Sequence, residues 1–318
     1  MCCVTVGLPV QYFPLGTYYP HAGSFRWANT DSTTGANMIV VTGATGNVGR
    51  PLVRALVTAG EQVTAVSRGI SAQDLPDFPA EVRRHQADLA KLTDLASLAP
   101  ALDGADALFL LTSGDFVSAN GSVGDVLDLA RARGIRRVVL LSSQGVATGS
   151  HPATLEDAIT QSGLEWTLLR PGGFDSNTLQ WADMVRTRRT VTAPFGDVAL
   201  PTIDPTDIAE VAAAALLDTG HAGNAYELTG PAPISPREQA SAIADALGEP
   251  VTFVEQSREE ARAQMLRFMP EPVVEATLGI LGTPKPAERR VSPDVERVLG
   301  RPARSFVEWA ARNVAAFK

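Results

Sequence analysis

From residue 38 onward, short β-branched and aliphatic runs alternate with longer stretches whose apolar positions recur every three to four residues. Runs of the first kind read as strands and stretches of the second as helices. Strands are predicted over 38–42, 62–67, 82–87, 105–112, 136–142 and 165–170, with helices over 47–59, 92–98, 123–133 and 154–162 between them. The run ADALFLLT at 105–112 is apolar almost throughout, the pattern of a strand covered on both faces. Strands that alternate with helices in this way build a parallel sheet. After Pro171 the rhythm loosens. A helix over 204–218, a strand over 225–229 and a helix over 235–247 follow, the last opening on Ser235, Pro236 and Glu238 and stopping at Gly248. Short helical pieces separated by prolines fill the rest, ending in a helix over 305–317. The pattern predicts an α/β chain: a doubly wound parallel sheet with a smaller, mostly helical C-terminal lobe.

Residues 1–37 follow neither period. They carry three of the four tyrosines and a single acidic residue, Asp31. Their apolar stretch is broken by Pro9, Gln11 and Pro14 and has no basic residue before it, so it lacks the form of a secretory signal. Met38 begins a strand and would serve as a protein start. The segment is expected to be a poorly ordered extension or an upstream start, with a cap over the site as the lesser reading.

Composition removes several function classes. In 318 residues there are 27 Lys and Arg against 35 Asp and Glu, a net charge of −8. A basic footprint for nucleic acid is missing. No apolar run reaches the ~18 residues of a membrane span. The only cysteines, Cys2 and Cys3, leave no thiolate metal site or cysteine nucleophile in the rest of the chain. Histidines at 21, 85, 151 and 221 are too scattered to suggest a metal cluster. A compact, soluble, cytoplasmic protein without a metal is expected, its oligomeric state open.

The sharpest motif is TGATGNVG at 42–49. It leaves a predicted strand and opens a predicted helix, the context that makes a glycine triplet a dinucleotide site. Gly43 permits the tight turn, Gly46 lets backbone approach a pyrophosphate, and Gly49 lets helix and strand pack closely. Backbone N–H groups from Thr45 through Asn47 to Val48 would then meet the diphosphate at the positive end of the helix. The second strand ends Ser67-Arg68 where an NAD site would place a carboxylate. A hydroxyl and a guanidinium suit a 2′-phosphate, which favours NADP(H), although an arginine here can also be plain surface. Asp88 and Leu89, after the third strand, read as contacts to the adenine edge, and Asp88 equally as a helix N-cap. Leu111, Thr112 and Ser113, ending the fourth strand, would line diphosphate and ribose.

With these features, the chain resembles the NmrA-like branch of the atypical short-chain dehydrogenases. The matching segments are MIVVTGATGNVGR (38–50), LLSSQGV (140–146), SGLEWTLLRPGGFDSN (162–177), IDPTDIAEVAAAAL (203–216) and YELTGPAPIS (226–235). The resemblance implies an NAD(P)-binding Rossmann domain over 38–172 and a substrate lobe over 173–318, with 204–230 returning to the first domain. Members of that branch include quinone and enone reductases and also non-catalytic cofactor sensors, so the fold leaves the reaction open.

The Tyr-x-x-x-Lys proton relay of most short-chain dehydrogenases is absent. Tyr226 is the only tyrosine after Met38, and the lysines are Lys91, Lys285 and Lys318. Two explanations remain, besides a minor one of epimerisation or dehydration. In the first, NADPH reduces an apolar carbonyl acceptor such as a quinone or enone. His151 then reads as the general acid, Ser142, Ser143 and Gln144 as donors to the carbonyl oxygen, with Ser142 also a cofactor contact, and Glu156 as a group orienting His151 or substrate. Loop-surface and strand-end structural roles are the bland alternatives for His151 and the serines. In the second, the chain is a redox sensor acting through a protein partner. Pro171 to Phe174 would pass beside the nicotinamide, with Phe174 shielding it from water. Asn177 and Trp181 follow on the first helix of the lobe. Met265, Phe268 and Met269 supply either an apolar lid or ordinary core. Such walls would suit a flat, apolar acceptor.

Overall fold

The computed structural model describes residues 37–70, 78–89, 95–112 and 122–318. The leader before Asn37, Lys91 and Ser113 lie outside the described residues. Seven strands form one parallel sheet: β1 (Met38–Thr42), β2 (Gln62–Ser67), β3 (Arg83–Gln86), β4 (Ala107–Leu110), β5 (Arg137–Leu141), β6 (Glu165–Pro171) and, after a further strand outside the sheet, β8 (Asn224–Leu228). Their order is β3-β2-β1-β4-β5-β6-β8. The chain winds outward from β1 in one direction, returns to β4 and winds in the other, so the carboxyl ends of β1 and β4 flank a crevice.

The central strands β1, β4 and β5 are apolar at nearly every position because both faces are covered, whereas the edge strand β3, RRHQ, is polar and partly exposed. Ile39, Val41, Phe109, Val139 and Leu169 face one core, shared with Leu52, Val53 and Leu56 of the helix Gly49–Thr58 and with Ile208, Val211 and Ala212 of the helix Pro205–Leu217. Val40, Leu108, Leu110, Val138, Leu140 and Leu168 face the opposite core with Leu102, Val126, Leu127 and Ile159. Adjacent strand residues thus divide between two layers, as a period of two requires.

The C-terminal lobe contains strands that its sequence does not announce. β7 (Thr190–Pro194) and β9 (Thr252–Gln256) pair in parallel, beginning with Thr190 opposite Thr252. TVTAP buries only Val191 and Ala193, and TFVEQ is largely exposed, so neither run carries the apolar signal of a covered strand. Around them pack Trp181, Val185, Ile243, Phe306, Trp309 and Phe317.

The last segment is pinned to the helix Pro205–Leu217 by ions. Arg301 and Arg304 both reach Asp207 and Glu210, and Arg312 reaches Asp204, which also caps the helix through Thr206 N–H at 2.8 Å. Asp207 is fully buried. Burial pushes its carboxyl up, and the two guanidiniums act against that. None of the described helices is long and apolar enough to cross a membrane.

Candidate active site

At the end of β1 the glycine turn is fixed by close approach. Gly43 sits at φ +65°, and a Cβ there would come within 2.4 Å of the Leu111 side chain. A Cβ on Gly49 would lie 2.2 Å from Gly43 O and 2.7 Å from Ala44 Cα. Any side chain at 49 therefore drives the turn open. Gly46 N–H donates to Gly43 O at 2.9 Å, closing the turn. Among the described residues no acceptor meets the amides of Thr45, Asn47 or Val48, and the helix that follows has no side-chain cap. That is the form of an anion cradle. Val48 contributes backbone only, since its side chain lies in the core. Thr42 ties the turn to β4: its hydroxyl donates to Phe109 O at 3.0 Å and accepts from Leu111 N–H at 2.7 Å. Asn47 donates to Ser176 Oγ at 3.0 Å, joining the glycine turn to the segment after β6.

Unsatisfied polar atoms trace the same edge. Among the described residues, buried side-chain atoms without a partner belong to Ser67, Arg84, Thr112, Gln144 and Asp175. Four of these five follow or end a strand at the carboxyl edge: Ser67 on β2, Thr112 beyond β4, Gln144 beyond β5 and Asp175 beyond β6. Buried hydroxyls and amides are normally paired, so a row of unpaired ones along the crevice fits a polar ligand lying across it. The cradle and this row together suit a dinucleotide.

Arg68 is exposed beyond β2, its carbonyl held by Gln86 Nε2 at 2.8 Å. Asp88 and Leu89 are half-buried after β3, and Leu111 is half-buried beside the fully covered Thr112. A charge-assisted bidentate pair between Arg68 and a 2′-phosphate would contribute about 1.5–3 kcal/mol. Arg68→Ala should therefore weaken NADPH roughly 10- to 150-fold in an equilibrium titration and leave NADH nearly unchanged. Equal weakening of both would make Arg68 structural.

Beyond β5 the structure brings Ser143 and His151 together. Ser143 caps the short helix Gln144–Ala147, its Oγ accepting from Gly145 N–H at 3.1 Å, and it lies 3.1 Å from His151 Nδ1. Ser150 and His151 N–H both return to Gly145 O, at 2.7 and 2.8 Å. Gly145 makes the approach possible: a Cβ there would lie 2.3 Å from His151 Nδ1. Burial pushes the imidazole below its ordinary value, while the Glu288 carboxylate pulls it up. Gln144 is buried, with Nε2 unpaired and Oε1 facing Gly172.

Several expected roles are reassigned. Ser142 is not a free strand-end hydroxyl, for its Oγ donates to Glu156 at 2.5 Å. Glu156 makes its bonds to Ser142 and Arg170 rather than to His151. It is buried and takes Arg170 Nε at 2.9 Å and the second guanidinium nitrogen at 2.5 Å. Pro171 ends β6 beside Leu228. Phe174 belongs to the main core with Ile203 and Leu228, so its ring is engaged there rather than left as a shield over the crevice. Trp181 lies in the lobe core, whereas Asn177 is exposed. Met265 and Met269 pack on Ala261, Val274 and Leu278, leaving Phe268 largely exposed. Asp175 was not anticipated. Fully buried, it has a carboxyl raised by that burial to about 7, with Asp204 and Asp207 adding to the rise and the Thr202 hydroxyl and Arg312 opposing it. Only the structure could reveal it, since FDSN carries no sign of burial.

Comparison with known proteins follows the same residues. The profile of an NAD(P)H-binding family matches residues 43–219. A (4-alkanoyl-5-oxo-2,5-dihydrofuran-3-yl)methyl phosphate reductase of Streptomyces griseus is 37% identical over 88% of this chain and 99% of its own. An NAD(P)H azoreductase of Xenophilus azovorans is 32% identical over 88% and 99%. Among solved structures, the NADPH complex of an Escherichia coli NADPH-dependent quinone oxidoreductase aligns with TM-score 0.71 at 24% identity, over 86% of this chain and 99% of that one.

Proposed function

Because the chain belongs to the NAD(P)H-binding family, we propose that it is an NADPH-dependent reductase of flat, apolar carbonyl acceptors, quinones or enones, in which Ser143 and His151 replace the missing tyrosine–lysine relay. The observation that carries this reading is the 3.1 Å contact between Ser143 Oγ and His151 Nδ1 at the end of β5. Two features of the relatives support the acceptor class. The Streptomyces relative is named for a ring whose double bond is conjugated to carbonyl groups, the enone arrangement, and the E. coli neighbour for quinones.

The glycine turn and the amides of Thr45, Asn47 and Val48 would hold the diphosphate, Arg68 and Ser67 the adenosine ribose with its phosphate, and Thr112 the crevice between. NADPH supplies the hydride when bound. The chain's own task is to deliver a proton and stabilise developing oxyanion charge. In the imidazolium form, His151 Nδ1–H donates to Ser143 Oγ, which frees the serine hydroxyl to donate onward to an acceptor oxygen. As the serine gives up its proton it takes one from Nδ1, leaving neutral imidazole. Gln144 Nε2, unpaired and buried nearby, would be a second donor for the same oxygen.

The test is NADPH oxidation with menadione and cyclohexenone, run beside a cofactor titration. Turnover of either supports the reading. Tight binding with no turnover on quinones or enones would favour a sensor acting through a protein partner.

A further inference from the structure

Glu288 is a carboxylate that the sequence gives no reason to bury. It comes from the charged, proline-punctuated stretch PKPAERR, yet only 3% of it is exposed. Its partners lie on the turn that carries His151. Oε1 accepts from Ser150 Oγ at 2.8 Å and from Thr148 Oγ1 at 3.1 Å, and Oε2 accepts from Lys285 N–H at 2.8 Å. The Lys285 ammonium completes the contact, donating to Thr148 O at 2.8 Å and Ser150 Oγ at 3.1 Å. Among the described residues the turn itself, from Thr148 to His151, has no ladder to hold it; besides these bonds and the His151–Ser143 contact, its backbone returns to the short helix before it.

We propose that Lys285 and Glu288 form a latch from the C-terminal lobe onto the 148–151 turn, with Glu288 acting as a positioning residue that seats His151 against Ser143 for proton delivery. The inference rests on the reading of His151 as the proton source. A buried carboxylate costs free energy unless its bonds are made, and here three donors converge on it, so the turn has one well-determined place. The charge also acts on the imidazole, raising its proton affinity against the effect of burial. Among the described residues, Glu288 and Lys285 are the charged groups that bond the turn from the C-terminal part of the chain. Glu156, on the helix that follows, is turned instead to Arg170 and Ser142.

Glu288→Gln removes the charge and keeps the shape. The experiment follows the His151 imidazole proton by NMR as pH is varied, identifying the signal by its loss in His151→Ala, and measures NADPH-dependent reduction of cyclohexenone across the same range. The midpoint should fall by about 0.5–1 pH unit. The enone kcat at pH 7 should drop about tenfold while the KM for NADPH stays constant, and Glu288→Asp should restore part of the midpoint shift. If Glu288→Gln does not fold, Thr148→Val with Ser150→Ala removes the hydroxyl ends of the latch and should lower kcat in the same way. An unchanged midpoint with an unchanged enone kcat overturns the latch. A shifted midpoint in a protein whose His151→Ala variant keeps full activity would leave the latch standing as a device that seats the imidazole, while refuting the proton-source reading.

Discussion

Replacing His151 with alanine is expected to lower enone turnover about 10²- to 10⁴-fold while leaving the equilibrium affinity for NADPH unchanged. The size follows from what surrounds the site. With no tyrosine–lysine pair, His151 is the group beside Ser143 whose reference pKa suits proton donation near neutrality. A quinone should suffer less than an enone, because its reduced form is aromatic and can collect protons from water. The pH profile gives an independent check. Burial lowers the imidazole pKa below 6.5, so the imidazolium that acts as acid is lost as pH rises through that lower value. Enone turnover should accordingly decline with rising pH from below about 6.5, and this limb should vanish in His151→Ala. An unchanged rate with both acceptor classes would remove His151 from the mechanism, leaving the proton to solvent or to Ser143.

A second large effect is expected at Arg170. Its guanidinium makes two bonds to Glu156, whose side chain is only 5% exposed, and Glu156 also takes the Ser142 hydroxyl. This network joins the end of β5, β6 and the helix Thr154–Thr160. Arg170→Met leaves a carboxylate buried without its counter-charge, which costs about 3–5 kcal/mol, roughly 4–8 °C in Tm for a chain of this size. Adding Glu156→Gln removes the stranded charge and should recover a large part of the loss. A fall of no more than ~1 kcal/mol for Arg170→Met would mean that solvent reaches Glu156 and that the pair behaves as a surface bridge.

The sheet and the glycine turn were legible in the sequence because both are written locally. A strand covered on both faces must be apolar at consecutive positions, as in ALFL and RVVLL. Close approach around the glycine turn requires residues without a Cβ, so Gly43 and Gly49 announce their positions. The proximity of His151 to the end of β5 was legible too, since only a few residues, folded as a short helix and a turn, separate them. β7 and β9 were not, because a two-stranded pair with one exposed face needs no long apolar run. Nor could the sequence divide the polar residues between chemistry and architecture. Ser142 and Ser143 are neighbours with the same side chain, yet backbone direction at the end of β5 sends one to Glu156 and the other to His151. Glu156 and Glu288 look like solvated carboxylates in their local contexts. They are buried because partners 14 residues away at Arg170 and about 140 away at Thr148 and Ser150 supply their hydrogen bonds. Periodicity and glycine placement therefore determined the sheet and the glycine turn. The partner of each buried charge was decided only by tertiary structure, because a charge can leave water only where another part of the chain meets it.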